Sequence, residues 1–248
     1  MNSNNPFFKN KTFTNTSAAS EVHEAKIIDR DETMTVSGTI NKSFLMLILL
    51  VASAAVTWSM PNPIIFAIGG AIVGFILVLI ATFKPQYSGF LAPGYAIFEG
   101  FFIGGISAIF EVMYPGIVIQ AVSCTFVTFM VCFGLYKYEI VKVTEKFKSV
   151  VLAATLAIAT YYLFSWLLSM FTSFQPVHYG NSMISIGISA FVIVIAALNL
   201  FLDFDQIEKG VQQKMPKYME WYGAMGLMIT LVWLYIEFLR LLSKLSRK

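Results

Sequence analysis

The chain has 248 residues, of which 57% are hydrophobic and only 12% are charged, and its net charge is +3. Soluble domains carry about 25% charged residues, whereas the mean hydropathy of +0.72 indicates lipid as the solvent. An ordinary soluble domain is therefore excluded. We predict an all-α polytopic membrane protein, because only closed backbone hydrogen bonding survives in the bilayer core.

The N-terminal segment differs from the rest of the chain. Residues 1–41 are polar and contain no short apolar core that would mark a signal peptide. Such a segment cannot bury enough apolar surface to offset the cost of ordering it. We therefore predict a flexible polar cytoplasmic tail over residues 1–41 and a seven-helix transmembrane domain over residues 42–248.

The transmembrane domain divides into spans by length. A helix needs about 20 apolar residues to cross the hydrocarbon. Prolines in "MPNP" and "YPG" and the charged segment "KYEIVKVTEKFK" separate the candidates, because proline cannot continue a helix. The predicted spans are residues 43–60, 63–83, 92–113, 116–136, 149–171, 182–205 and 219–242.

Basic residues predict the orientation of the spans. Thirteen Lys and Arg residues lie in the tail and in the second, fourth and sixth loops, and none lies in the first, third and fifth loops. The positive-inside rule then places the N-terminus in the cytoplasm, and we expect the cell (inner) membrane. Seven crossings put the C-terminus on the opposite side despite its basic residues, since late charges carry less weight. The alternative is a seventh segment that enters the membrane and returns.

Acidic residues inside spans are the strongest functional signals, because a charge at the bilayer centre costs about 2.5–3.5 kcal/mol. Glu99 lies in "GYAIFEGFF" of the third span. It is either a protonatable group or cation ligand in the bundle, or a neutral carboxyl hydrogen-bonded to a neighbour. Glu237 lies in "WLYIEFLRLL" of the seventh span, where an ion pair with Arg240 three residues later would lower its cost.

The end of the sixth span carries a polar row. Asn199, Asp203 and Gln206 are spaced i, i+4 and i+7, which places them on one stripe of a helix. Asp205 and Glu208 face away from this stripe, and we interpret them as a solvated helix end. Simple termination of a helix does not require such a stripe, so we predict a functional role for it.

Asp203 and Glu237 should not meet in a plain hairpin of the sixth and seventh spans. If the midpoint of the hairpin lies near residue 212, their depths differ by about 16 residues, or about 24 Å. They would then lie near opposite membrane faces. Only a broken or re-entrant seventh helix would bring them together.

Enzymatic motifs are not found in the sequence. There is no H-E-x-x-H, G-x-S-x-G, Walker loop or paired metal-ligand spacing. His23 and His178 are expected to be solvated, and Cys124 and Cys132 are too far apart on one helix for a disulfide. We expect no enzymatic activity, no resident cofactor, no confident metal site and no nucleic-acid partner; the lipid bilayer is the expected environment.

Several stretches resemble a known family. They are "LFLDFDQI" at the end of the sixth span, "LVWLYIEFLRLL" in the seventh, and the order of the seven spans itself. Over about residues 40–245 the chain resembles the Bax inhibitor-1 family, also called transmembrane Bax-inhibitor-motif or YccA-like proteins, and most of all a bacterial subgroup. The resemblance implies a single bundle in which the last helix lies between two three-helix layers.

The resemblance also implies a pH sensor. Members of the family are described as pH-sensitive calcium leak channels whose sensor is a pair of acids on helices six and seven. Asp203 matches the first acid. Local wording assigns the second to Glu237, whereas chain spacing assigns it to residues 227–230, which hold no acid. Lys84 stands where the family has a basic residue that can reach the helix-six acid.

The expected function is a passive calcium leak gated by protonation of intramembrane acids. Two neighbouring acids cannot both ionise in a low dielectric; with Asp203 and Lys84 alone, the switch would be a salt bridge that breaks on protonation. Oxygens of Asp203, Asn199, Gln206 and Glu99 could contact calcium transiently. The alternative is a membrane regulator that offers its tail to a membrane protease or another complex without ion transport.

Overall fold

Long helices account for nearly all of the chain that the structure describes. The structure is a computed structural model, and it describes residues 32–172 and 176–246. Within these residues there are seven helices long and apolar enough to cross a membrane, and no extended strand, so the predicted all-α membrane fold is confirmed. The helices are α1 Val36–Trp58, α2 Pro63–Phe83, α3 Ser88–Met113, α4 Ile117–Lys137, α5 Glu145–Phe171, α6 Met183–Gln212 and α7 Met219–Ser246.

The helices extend beyond the predicted spans at several ends. Helix α1 begins at Val36, inside the segment assigned to the tail, because the Thr35 side chain accepts a hydrogen bond from the backbone N–H of Gly38. Residues from Met34 onward form one compact unit, so the predicted boundary at residue 42 falls inside a helix. The predicted tail residues 1–31, with His23, lie outside the described residues, as do Arg247 and Lys248.

Helix α7 lies at the centre of the bundle. It packs against α1, α3, α4 and α6, while the tightest pair of neighbours is α2 with α3. Half of its apolar window is buried, compared with 17–39% for the other six spans of the described chain. Helix α7 is therefore the most enclosed of the described spans, and a change in its position disturbs contacts with four other helices.

The bundle is apolar on both its inner and outer sides. Met46, Leu200, Leu234 and Leu239 are fully buried at helix contacts, whereas rings such as Phe75 remain exposed on the outside. Exposure of so many large apolar side chains is expected when lipid rather than water surrounds the protein. Positions along these helices are therefore set mainly by packing and by polar contacts, since lipid is as apolar as the core.

Small residues set the contact between α1 and α3. A Cβ atom on Gly104 would lie 2.7 Å from the Cα of Ala54, and backbone atoms cannot move aside independently. A Cβ atom on Gly100 would likewise overlap atoms of Leu50 and Ser53. These glycines allow the two helices to approach more closely than larger side chains would permit.

Gly104→Ala should therefore destabilise the bundle by about 1–3 kcal/mol through overpacking. The matched control is Gly69→Ala, because a Cβ on Gly69 meets nothing within 4 Å. Thermal unfolding in detergent, followed by circular dichroism, measures both. An equal melting temperature for the two variants would contradict the close contact.

Helix α7 crosses the whole bundle. Its last turns reach the start of α6, where the Lys244 Nζ donates to the Ser189 Oγ at 2.7 Å and to the backbone carbonyl of Ser185 at 3.2 Å. The α6–α7 turn lies at the other end, beside Met34. A seventh segment that dips in and returns is therefore not seen. The side of the membrane on which each end lies stays a prediction.

Candidate functional site

The Asp203 carboxyl is held between α6 and α7. Its Oδ1 lies 4.0 Å from the position that a Cβ on Gly226 would occupy, an ordinary contact distance, so the acid faces α7 at this residue. The Thr230 hydroxyl interacts with the same carboxyl. The Asp203 Oδ2 is buried and has no hydrogen-bond partner among the described residues. A buried and unpartnered oxygen is costly for an ionised carboxylate, so this geometry favours the protonated form.

Thr230 occupies the place that chain spacing assigns to the second acid. It lies one helical turn beyond Gly226 on α7 and donates to the Gly226 carbonyl at 3.4 Å. No acid of α7 faces Asp203 within the described chain, because Glu237 lies further along the helix. The motif match around Glu237 implied a pair of neighbouring carboxyls, Asp203 and Glu237. That pair is therefore absent from this conformation.

Glu237 belongs to a separate cluster near the other end of α7. Its Oε1 accepts hydrogen bonds from Arg240 at 2.9 Å and from the Tyr162 hydroxyl at 3.4 Å. The side chain is 1% exposed, and its Oε2 has no partner among the described residues. The ion pair with Arg240 that the sequence suggested is thus present.

The depth difference between Asp203 and Glu237 is smaller than predicted. Helix α6 ends at Gln212 and α7 begins at Met219, so the hairpin midpoint lies near residue 215 rather than 212. Asp203 then lies level with residue 228, and Glu237 is about 14 Å further along the axis instead of about 24 Å. The Asp203 and Glu237 carboxyls nevertheless do not contact each other.

Cations surround Glu237 at this end of the bundle. Lys244 is buried, and the Arg240 guanidinium lies 5.4 Å from the Tyr162 ring centre. His178 packs its ring against Tyr162, and its Nδ1 lies 3.1 Å from the Tyr161 hydroxyl, so it is not the solvated residue that we expected. Burial together with Arg240 and Lys244 lowers the pKa of His178, which keeps this imidazole neutral near neutral pH.

The predicted stripe on α6 does not form one site. Asn199 turns toward α5, where its Nδ2 donates to the Thr155 hydroxyl at 2.8 Å. Asp203 faces α7, and Gln206 is exposed. A 3.6-residue repeat spreads the three side chains over a sector wide enough to meet different neighbours.

Glu99 and Lys84 lie apart from Asp203. The Glu99 Oε2 would lie 3.0 Å from a Cβ on Gly74, so this buried acid faces α2 from the middle of α3. Lys84 is exposed at the end of α2, and no ion pair joins it to Asp203 among the described residues. The salt-bridge switch between Lys84 and Asp203 is therefore not formed in this conformation.

Of the two acids that follow Asp203, Asp205 is largely buried in ion pairs, which corrects our interpretation, whereas Glu208 is exposed at the helix end as expected. Asp205 is 14% exposed and contacts Lys148 at 2.9 Å and Lys209 at 3.0 Å. Glu208 accepts a hydrogen bond from the Tyr136 hydroxyl. These contacts fasten the end of α6 to α5 and α4, so the acids have a structural role.

Glu220 is a buried acid that the sequence analysis did not single out. It is 1% exposed, forms an ion pair with Lys42, and accepts hydrogen bonds at 2.9 Å from the backbone N–H and the hydroxyl of Thr35. Its position in the first turn of α7 indicated only a favourable interaction with the helix dipole. Its partners lie 178 and 185 residues away, and no local pattern predicts them.

Residues 32–172 and 176–246 contain no group of three or more His, Cys, Asp or Glu that could hold a metal ion. Asp203 and Glu99 face different helices, so they do not form a joint calcium site here. The arrangement can bind or release a proton at Asp203. It can also offer that carboxylate to a passing cation.

The comparisons with known proteins agree with this architecture. A search of curated proteins found no match to the chain. The model of a protein family described as Bax inhibitor 1 like matches residues 5–247, which is almost the whole chain and includes all seven helices. Together with the confirmed seven-span fold, this match shows that the chain belongs to the Bax inhibitor 1-like family.

Proposed function

We propose that the protein is a passive cation leak gated by protonation of Asp203, with calcium as the transported ion. The observation that carries the proposal is the buried Asp203 Oδ2 at the contact between α6 and the central helix α7. The Bax inhibitor 1-like membership supports the same function.

The mechanism follows from the cost of an unpartnered charge. In this conformation the ionised Asp203 carboxylate would lack a partner for Oδ2, so the protonated form fits better. When the proton leaves, separation of α6 and α7 lowers the free energy of the protein, because water or a cation can then reach the ionised carboxylate. By linkage, raising the pH then favours the separated state. Because α7 contacts four other spans, this movement opens paths along several helices.

The chemistry of Asp203 suits a transient cation contact. Calcium takes 6–8 oxygen ligands in flexible geometry. The Asp203 carboxylate and the Thr230 hydroxyl would supply oxygens, and water would supply the rest. An incomplete set of protein ligands favours rapid release, as a leak requires.

Calcium entry into proteoliposomes tests the proposal directly. Purified protein reconstituted with an internal calcium dye should raise the initial rate of entry above that of empty vesicles made from the same lipid. Glu99→Gln measures whether that second buried acid contributes to the path. Flux no greater than in empty vesicles would refute the leak and favour a partner-binding regulator of a membrane protease or another complex.

A further inference from the structure

A short strap, residues 33–35, lies directly before α1 and contacts the α6–α7 turn. The backbone N–H of Met34 donates to the Met215 carbonyl in that turn at 2.7 Å. The backbone N–H and the hydroxyl of the next residue, Thr35, both donate to the Glu220 carboxylate in the first turn of α7 at 2.9 Å. The strap therefore fastens the start of α1 to the helix pair that holds Asp203.

The Met34 side chain fills a socket between α6 and α7, and this residue is only 4% exposed. A Cβ atom on Gly210 of α6 would lie 2.8 Å from the Met34 Sδ. A Cβ atom on Gly223 of α7 would lie 3.5 Å from the Met34 Cε. Because the two glycines have no side chains, one thioether contacts both helices. A flexible methionine suits such an irregular gap.

The socket lies on the same stripe of α6 as Asp203. Gly210 follows Asp203 by seven residues, which is close to two helical turns, or about 10 Å along the axis. Between them, the Ile207 Cγ1 lies 3.1 Å from the position of a Cβ on Gly223. Met34 thus completes a row of three contacts between α6 and α7. Because helices bend little over two turns, separation at Asp203 also strains the contact at Met34.

We propose that Met34 is a positioning residue of the gate, because it holds α6 against α7 and so opposes their separation when Asp203 ionises. The inference rests on the proposed function, since it assigns a regulating residue to the same gate. Truncation of the Met34 side chain removes the shared contact but keeps the backbone bond to Met215. The separated state then becomes easier to reach.

Hydrogen–deuterium exchange of the full chain in lipid nanodiscs, followed by mass spectrometry, tests the contact without reference to ion flux. Met34→Ala should speed amide exchange in residues 207–219 at least about threefold, because exchange reports local opening and a lost buried methionine favours it. Met34→Leu should restore the wild-type rate, since leucine fills a similar volume. Circular dichroism checks that each variant keeps its helix content.

Gly210→Ala disturbs the same contact from the α6 side, because the new Cβ displaces the Met34 Sδ. It should also speed exchange in residues 207–219. Gly187→Ala is the matched control on the same helix, because a Cβ there meets nothing within 4 Å. Unchanged exchange in both Met34→Ala and Gly210→Ala, or an equal increase in Gly187→Ala, would overturn the inference.

Calcium entry into proteoliposomes tests the link between Met34 and the gate. Met34→Ala should raise the flux at the lowest pH tested at least about threefold, and leave the flux at the highest pH near the wild-type value, because the wild type is already separated there. A purely structural role would lower the melting temperature without flattening the pH profile. The neighbouring charges, Glu220 and Lys42, stay paired in each variant.

The two measurements separate this inference from the proposed function. Faster exchange with a wild-type pH profile of flux would overturn the role of Met34 at the gate. Faster exchange in a protein whose wild type passes no calcium would refute the leak, yet it would retain Met34 as the residue that holds α6 against α7.

Discussion

Asp203→Asn should give calcium flux that no longer depends on pH and that matches the wild-type flux at the lowest pH tested. Asparagine has nearly the same shape as the protonated acid but cannot ionise, so it holds the bundle in the state that the neutral side chain favours. The wild type should show severalfold greater flux at about pH 8 than at about pH 5, because ionisation favours the separated state. Proteoliposomes with a calcium dye, measured across this pH range, provide the comparison.

Asp205→Asn is the matched control for this experiment. It makes the same chemical change two positions away, at an acid that pairs with Lys148 and Lys209 at the surface. It should keep the pH dependence of the wild type. If Asp203→Asn keeps that dependence as well, Asp203 is not the gate.

Thr230→Asp extends the test by placing a second carboxyl beside Asp203. Two neighbouring carboxyls share one proton, so full ionisation of the pair requires a higher pH than ionisation of Asp203 alone. The midpoint of the flux against pH should move upward. An unchanged midpoint would show that position 230 does not face the gating proton.

Glu220→Ala should be the most destabilising of the substitutions considered. It removes the partner of Lys42 and the oxygen that accepts two hydrogen bonds from Thr35. Loss of one partner of a fully buried pair costs about 3–5 kcal/mol. Because Lys42 is partly exposed and can reach water, we expect about 2–3 kcal/mol. Thermal unfolding in detergent gives the measurement.

Gly38→Ala probes the same contact from the other side. A Cβ on Gly38 would overlap the Glu220 carboxyl, so this substitution should also lower the melting temperature. Gly187→Ala is the control, because a Cβ there meets nothing within 4 Å. Should Gly38→Ala and Gly187→Ala behave alike, the contact between the starts of α1 and α7 would be refuted.

The sequence predicted the spans well because hydropathy depends on composition over about 20 residues. It placed the beginning of α1 too late, since the Thr35 side chain caps a helix that starts at Val36, and hydropathy does not record a cap. It also ended α6 at residue 205, whereas the helix continues to Gln212. Polar residues that project beyond the hydrocarbon form helix as readily as apolar ones.

Side-chain partners were less predictable than spans. Helical spacing grouped Asn199 with Asp203, yet the two residues face different helices because each neighbour covers only part of the α6 surface. The chain spacing implied by the resemblance assigned the matching position on α7 to residues 227–230, and Thr230 does interact with the Asp203 carboxyl. The hairpin count from residue 212 placed the level of Asp203 about seven residues too early, because α6 and α7 meet nearer residue 215. The partners of Glu220 depend on how the first and last helices pack against each other. Residue spacing within one helix or one hairpin does not predict that packing.

The attachment of Glu220 to Thr35 and Lys42 has a consequence for biosynthesis. During translation the first helix enters the membrane before the last helix has been synthesised. Lys42 therefore lacks its ion-pair partner Glu220 at that stage. The bundle can close only after translation has supplied the seventh helix. A chain truncated before the seventh helix lacks Glu220, so Thr35 and Lys42 at the start of the first helix lose their carboxylate partner.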